Sequence, residues 1–205
     1  MSNIIKNDPD NSDADAALVA SSQQGDLPAF EALVAKYQKR MLNIAFRFLG
    51  DYDEACEVVQ DAFVSAYRNL KGFRAESKFS TWLTAITMNL SRNRLKRMKL
   101  HQSRVPVSLD APVRTASGEV MPDPPDRGPS VLDRMEKRDV QAKVHDCIKA
   151  LDPDFREVLV LRDMQDFSYE EIGSMLKVAA GTVKSRLFRA RESIKDCLKK
   201  VLGSL

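Results

Sequence analysis

The sequence predicts an all-α protein of two small helical domains joined by a proline-rich linker. Apolar residues recur at helical intervals on both sides of the linker, and six of the nine prolines fall between Val105 and Ser130. Proline removes an amide donor and clashes with the preceding turn, so this segment cannot hold a helix. The expected divisions are a disordered tail at 1–12, a first domain at 13–101, a flexible linker at 102–131 and a helix-turn-helix domain at 132–205.

Charge is distributed unevenly along a chain whose net charge is only +3. Between Glu76 and Asp110 every charged residue is basic, and residues 177–200 are also strongly basic. By contrast, the stretch Phe48–Tyr67 carries acids and no base. Two basic segments and one acidic segment indicate two contacts to a polyanion and one surface of opposite sign.

Cysteine and histidine usage argues against a metal site, and we expect no cofactor. Cys56, Cys147 and Cys197 lie far apart and lack CxxC spacing, and the chain has two histidines. Neither a zinc site nor a disulfide framework is indicated, so we expect three reduced thiols in a cytoplasmic protein. The N-terminal residues do not resemble a signal peptide and no stretch approaches the ~18 apolar residues of a membrane span, so we expect no membrane insertion.

Three helices are predicted in the first domain. Apolar periodicity predicts one helix over 26–49, which Gly50 ends. A nearly unbroken i, i+3, i+4, i+7 pattern predicts a second helix over 55–70, with acids four residues apart on another face. Ser80 is a candidate N-cap for a third helix, which continues into a run of bases. Trp82 falls on its apolar stripe and is expected to pack in the core.

The second domain is also predicted to be helical, ending in a helix-turn-helix. A helix over 131–151 and another over 154–163 come first. Ser168 and Glu171 then form a capping box before a short helix, and Thr182 is a candidate cap for a longer basic helix. This geometry fits the second helix into a major groove, where arginines can pair with guanine.

Three segments in chain order resemble motifs of the extracytoplasmic-function (ECF) sigma factors. Residues 168–194 resemble their promoter-reading helix-turn-helix, 51–73 their polymerase-binding helix, and 79–97 their −10-element helix. The resemblance implies a non-catalytic sigma factor that binds core RNA polymerase, directs it to specific promoters and helps to melt them. It also implies a role in a stress or envelope response, under control of an anti-sigma factor.

The resemblance further implies site residues. Docking on the β′ clamp helices of core polymerase would use Asp53, Glu57, Gln60, Asp61 and Phe63. Contacts to −10 DNA, including a base flipped out of the single strand, would use Phe73, Arg74, Ser77, Lys78, Asn89, Arg92 and Lys96. Reading of the double-stranded −35 element would use Thr182, Lys184, Ser185, Arg186, Phe188 and Arg189. The β flap of polymerase is a further implied partner.

Two positions in the turn depart from the family pattern. Lys177 stands where the family often has glycine, and a left-handed conformation there would cost roughly 1 kcal/mol. The pair Ala179-Ala180 replaces a common proline-bearing pair. Both departures bear on the geometry of the turn, and Phe188 remains open between a base contact and a core position.

Two other classes of protein share some of these sequence features. A regulator of the LuxR kind shares the "EI…L…GTVKSRL" pattern, but usually carries a sensing domain with strands, which nothing before Pro106 predicts. An enzyme is disfavoured because the sequence has no Gly-rich phosphate loop, no GxSxG motif and no metal-ligand cluster. The paired acids Asp53 and Glu57 are better explained as a surface than as acid–base catalysts.

Overall fold

The computed structural model describes residues 12–104 and 131–203, and the described residues form α-helices without any strand. In chain order the helices are α1 Ser12–Gln23, α2 Leu27–Leu49, α3 Tyr52–Asn69, α4 Phe79–Arg104, α5 Val131–Lys149, α6 Pro153–Leu159, α7 Tyr169–Leu176 and α8 Ala180–Leu202. A 3₁₀ turn, Leu70–Gly72, follows α3, and a π-helical turn, Val160–Met164, follows α6. The all-α class is confirmed. Most of the expected tail and linker lies outside the described residues.

Local capping chemistry explains where several helices begin and end. The carboxylate of Asp26 accepts the Ala29 amide ahead of α2, and Asp51 accepts the Glu54 amide ahead of α3. Gly50 ends α2 in the left-handed conformation, at φ 74°, which glycine adopts at little cost.

The predicted capping box is present at the start of α7. The Glu171 amide donates to Ser168 Oγ at 3.1 Å, and the Ser168 amide donates to the Glu171 carboxylate at 2.8 Å. Both backbone amides would otherwise lack a hydrogen-bond partner, so the box satisfies two donors at the start of the helix. The short helix that supports the basic helix therefore begins where the sequence pattern predicts.

The two other predicted caps are wrong. Helix α4 begins at Phe79, so Ser80 lies inside its first turn and is buried. Helix α8 begins at Ala180, with Ala179 as the N-cap residue and without a side-chain capping bond. In each case the helix begins before the residue that is predicted to cap it. Burial of Phe79 in the core accounts for the early start of α4.

Buried hydroxyl groups line the side of α4 that faces the first domain's core. Thr84, Thr87 and Ser91 are fully buried, and each donates to the carbonyl four residues earlier, at 2.7, 2.9 and 2.8 Å. A buried hydroxyl without a partner would cost about 1–3 kcal/mol. These bonds allow a polar stripe to pack against Met41 of α2 without that cost.

The expectation of three reduced thiols is wrong for two of them. Cys147 on α5 and Cys197 on α8 form a disulfide, with their Cα atoms 5.8 Å apart, while Cys56 is free. The two cysteines are 50 residues apart in sequence. Their pairing depends on the packing of α5 against α8, which spacing along the chain does not reveal.

The turn between α7 and α8 is tight and locally strained. Lys177 adopts the left-handed conformation, at φ 57° and ψ 44°, as expected from its place at the turn. Gly173 lies so close to the returning chain that a Cβ atom there would meet the Val178 carbonyl oxygen at 2.8 Å. The turn therefore needs glycine at residue 173 for space and tolerates a strained lysine at residue 177.

Substitution of Lys177 by glycine is expected to raise the free energy of unfolding by about 0.5–1 kcal/mol, because glycine adopts the left-handed conformation without the Cβ penalty. The Lys177→Ala variant is the matched control, since alanine keeps the Cβ atom and should bring no comparable gain. Urea denaturation of both variants measures the difference. Equal stabilities would show that the turn stores no such strain.

The two domains, α1–α4 and α5–α8, are in contact. Helix α2 packs against α5 and α6, and α4 packs against α7. Buried apolar residues of both domains, such as Phe48 and Leu161, belong to one continuous core. The domains therefore share an interface in addition to the chain segment that connects them.

Candidate nucleic-acid and polymerase interface

Helix α8 presents a basic, partly aromatic face to solvent. Val183, Leu187 and Ala190 face inward and are at most 2% exposed. Lys184, Ser185, Phe188 and Arg189 are exposed in consequence, since they occupy the opposite side of the same turns. Phe188 is 69% exposed, so it is a surface residue and not part of the core. This face has the donors and the apolar surface that major-groove reading uses.

The other two predicted −35 residues are less accessible. Arg186 is half-buried and forms ion pairs with Asp154 and Glu157, both on α6. Thr182 is also half-buried, and its carbonyl accepts the hydroxyl of Ser185 at 3.0 Å. Of the six predicted −35 residues, these two therefore hold the face in shape, and they add less solvent-accessible surface to it than the other four.

An aromatic cluster supports the loop between the 3₁₀ turn and α4. The Phe73 ring contacts Trp82 at a centroid distance of 4.9 Å and Phe79 at 6.1 Å. Trp82 is half-buried and packs against the core, as expected. Gln23 of α1 donates to the carbonyls of Leu70 and Phe73, both at 2.9 Å, and so holds the beginning of the loop.

The remainder of this loop is open to solvent. Arg74, Ser77 and Lys78 are all exposed. Ala75, between them, has φ 56°, a left-handed conformation that is unfavourable for a residue with a Cβ atom. The loop thus displays basic and hydroxyl groups beside an aromatic cluster, an arrangement suited to single-stranded nucleic acid.

The predicted −10 residues on α4 differ in accessibility. Asn89 and Lys96 are exposed, whereas Arg92 is half-buried. Arg92 Nε donates to a carboxylate oxygen of Glu157, in the other domain, at 2.6 Å, and its Nη1 donates to Asn89 Oδ1 at 3.3 Å. One predicted DNA contact is therefore engaged by a carboxylate of the protein itself.

Helix α3 exposes an acidic face. Asp53, Gln60 and Asp61 are exposed, while Glu57 is ion-paired to Arg94 of α4 together with Glu54. The α3–α4 packing that buries the apolar stripe brings this arginine to the acids.

Phe63 differs from the other predicted residues on α3. It is 7% exposed and belongs to the hydrophobic core. Its side chain therefore packs α3 against the core and does not reach the surface that a partner would touch. The exposed acidic face consists of the other four predicted residues.

A groove of about 680 Å³ runs along the C-terminal half of α8. Its lining residues are Leu159, Asp163, Arg191, Ile194, Lys195, Leu198 and Lys199. Arg191 and Asp163 form a two-bond ion pair at 2.6 and 3.0 Å. The groove combines an apolar floor with basic edges.

Sequence reasoning missed three residues of these surfaces. Gln23 and Ala75 shape the −10 loop, and Glu157 binds two of the predicted DNA contacts. Helix α1, which carries Gln23, was not predicted at all. Ala75 has no sequence signal for a left-handed conformation. Glu157 stands between Arg156 and the apolar residues 158–161, and only the tertiary contacts reveal its role.

Neither a metal site nor a membrane span is found in the part of the chain that the structure describes. Across residues 12–104 and 131–203, no three metal-binding side chains converge on one position. None of the helices in these ranges combines the length and the apolar character that crossing a bilayer requires.

Comparison with known proteins identifies the family. Residues 33–100 match Sigma-70 region 2 and residues 141–194 match Sigma-70 region 4. The RNA polymerase sigma-H factor of Pseudomonas aeruginosa is 38% identical over 194 residues, 92% of this chain and 95% of that protein. The ECF RNA polymerase sigma-E factor of Escherichia coli K12 is 37% identical over 184 residues, 88% of this chain and 92% of that one.

The fold is also shared with solved structures. CnrH, solved in complex with the cytosolic domain of CnrY, superposes with a TM-score of 0.65 at 26% identity, over 92% of this chain and 99% of that chain. The sigma factor RpoE from Bartonella quintana, solved with the anti-sigma factor NepR, gives 0.61 at 24% identity, over 83% and 96%. The chain belongs to the ECF sigma factors of the sigma-70 family.

Proposed function

We propose that this chain binds core RNA polymerase through the acidic face of α3 and positions it on promoters through two DNA-binding surfaces. The −10 loop with α4 would hold the melted strand, and the exposed face of α8 would read the −35 element. One observation carries the proposal. A single chain displays an exposed acidic helix, a basic loop over an aromatic cluster and a basic recognition helix, within the ranges that match Sigma-70 regions 2 and 4.

The residues proposed for each surface are those that the resemblance to the family implies, sorted by where the structure places them. For polymerase these are Asp53, Glu57, Gln60 and Asp61, with Phe63 supporting them from the core. For −10 DNA they are Phe73, Arg74, Ser77, Lys78, Asn89, Arg92 and Lys96. For −35 DNA they are Lys184, Ser185, Phe188 and Arg189, with Thr182 and Arg186 shaping the face. The chain would supply positioning and strand separation, and polymerase would perform the catalysis in the cytoplasm.

Two further partners belong to the proposal. The groove along α8, with its apolar floor of Leu159, Ile194 and Leu198, would receive the β flap of polymerase. An anti-sigma factor would hold the protein inactive until a stress signal arrives. Support comes from CnrH, a structural relative that was solved in complex with the cytosolic domain of another protein.

Substitution of Asp61 by lysine is expected to weaken binding to core polymerase about tenfold or more, because a docking face that relies on negative charge loses steering and pairing together. The fold should be unaffected, since Asp61 is exposed. Co-elution with sigma-free core polymerase and titration of a fluorescently labelled chain measure the affinity. Asp139→Lys, at an exposed position on α5, is the matched control. If both variants bound core as the unchanged chain does, α3 would not be the docking helix.

A further inference from the structure

The −10 loop, residues 73–78, is not held in shape by burial of its own side chains. Residues 74–78 are all exposed, and Ala75 adopts the left-handed conformation at φ 56°. That conformation is unfavourable for a residue with a Cβ atom and persists only where the surrounding structure imposes it. The shape of the loop is therefore set by contacts at its two ends.

Aromatic packing fixes the end of the loop. Phe79, the first residue of α4, is buried, and its ring contacts those of Tyr37 and Phe73 with centroid distances of 5.7 and 6.1 Å. Trp82 completes the cluster, with its ring centroid 4.9 Å from that of Phe73. The cluster therefore holds the two phenylalanines that the exposed part of the loop connects.

A side chain from another helix fixes the beginning of the loop. The side-chain amide nitrogen of Gln23 donates to the carbonyl oxygens of Leu70 and Phe73, both at 2.9 Å. Leu70 is the first residue of the 3₁₀ turn, and Phe73 is the first residue of the loop. Both partners are acceptors, so residue 23 must supply a group with at least two N–H hydrogens. One amide thus joins the turn to the loop.

Helix α1 can place Gln23 because α1 is itself anchored to α2. The buried carboxylate of Asp15 accepts Lys36 Nζ at 2.7 Å and also accepts the Tyr37 hydroxyl. Tyr37 packs against Phe79 as well, so the anchor of α1 and the aromatic cluster share a residue. Helix α1 ends before residue 33, where the match to Sigma-70 region 2 begins. The loop is therefore supported in part by a helix that lies outside the matched range.

We propose that Gln23 is a positioning residue for base reading at the −10 element, because it holds the loop in the conformation that receives an unstacked base. This role rests on the proposed function and names a residue behind its −10 surface. A flipped base is read by hydrogen bonds and stacking within a fitted pocket, so the position of the backbone decides which base fits. Phosphate contacts carry no sequence information. Gln23 therefore governs base preference at one position more than total affinity for the strand.

Gln23→Met tests the amide, because methionine has a similar length but no N–H donor. Gln24→Met is the matched control at the exposed neighbouring residue. Each full chain is assembled with core polymerase and offered a random-sequence library of single-stranded DNA, and sequencing of the bound strands gives the base preference at each position. We expect Gln23→Met to lower the preference at one position about fivefold or more, because the fraction of loops in the competent conformation falls. Gln24→Met should keep the preference of the unchanged chain.

Trp82 supplies a readout that needs no DNA. It is the only tryptophan of the chain, and its ring contacts Phe73. Release of the Phe73 carbonyl should loosen this ring contact. Gln23→Met should therefore raise the acrylamide quenching constant of the tryptophan fluorescence about twofold, because local opening exposes the indole ring to solvent. Gln24→Met should leave the quenching constant unchanged.

Gln23→Glu separates hydrogen bonding from packing. Glutamate has the shape of glutamine, but its carboxylate would face two carbonyl oxygens without a hydrogen to donate. Gln23→Glu should therefore lose base preference and gain quenching as Gln23→Met does. Gln24→Glu is the control for the added negative charge, which weakens binding to a polyanion at either position. If Gln23→Glu kept the preference and the quenching of the unchanged chain, packing would hold the loop and the role of the amide would be excluded.

The possible failures of this role and of the proposed function are distinguishable. If the unchanged chain selected bases and Gln23→Met selected the same bases equally strongly, the positioning role would be overturned and the proposed function would stand. A uniform loss of binding to all strands, with base preference intact, would also overturn the role, because it would indicate a general loosening of the domain. If the unchanged chain with core polymerase preferred no base at any position, the proposed −10 function would fail and the role with it.

Discussion

Reduction of the Cys147–Cys197 disulfide is expected to lower the free energy of unfolding of the second domain by about 2–4 kcal/mol, because the bond closes a long loop in the unfolded chain. The cysteines are separated by 50 residues. The bond joins α5, which follows the linker, to α8, which carries the −35 face. Its loss would therefore loosen the helix that reads DNA.

Urea denaturation with and without a dithiol reductant, followed by the circular dichroism of the helices, measures this effect. Cys197→Ser should reproduce the reduced curve without reductant, since Cys197 is only half-buried and serine fits in its place. Cys56→Ser is the control. It should leave the difference between the curves with and without reductant unchanged, because Cys56 is the free thiol. Coincident oxidised and reduced curves would mean that the disulfide does not form in solution.

Replacement of Arg189 by alanine is expected to cost about 1–3 kcal/mol in binding of the −35 element by the polymerase holoenzyme, through loss of a bidentate contact to a base. Arg189 is chosen because it is exposed on the reading face, whereas Arg186 is already paired with Asp154 and Glu157. The loss should be accompanied by relaxed preference at one base pair.

Fluorescence anisotropy at constant salt, on duplexes that vary each position of the −35 element, separates base reading from phosphate attraction. Arg191→Ala is the matched control, since Arg191 is an exposed base on the same helix that is paired with Asp163. It should weaken all duplexes about equally, if at all. A uniform loss with Arg189→Ala as well would show that Arg189 contacts phosphate and does not read a base.

Local signals explain how much of the fold could be predicted. Gly50 and the Ser168–Glu171 box act within one turn of the helix that they end or begin, so their effect is legible in the sequence. The caps proposed at Ser80 and Thr182 failed because the helices extend past these residues. Helix α1 has a weak apolar period, which gave no reason to expect it.

Contacts between distant residues could not be predicted in the same way. The disulfide between Cys147 and Cys197, the Arg92–Glu157 bond and the burial of Phe63 each depend on which helices pack together. The basic and acidic segments could be read from the sequence, and the resemblance to the ECF sigma factors implied which of their residues form the surfaces. The structure adds which residues of those surfaces already have partners within the protein, above all that Arg92 and Arg186 are ion-paired.

The most direct test of the central claim is run-off transcription by sigma-free core polymerase on a library of bacterial promoters, with the purified chain as the sole added factor. The account predicts specific initiation that depends on both a −10 and a −35 element and that Asp61→Lys and Arg189→Ala reduce. Absence of initiation at every promoter, with a folded chain and without an inhibitor, would contradict it.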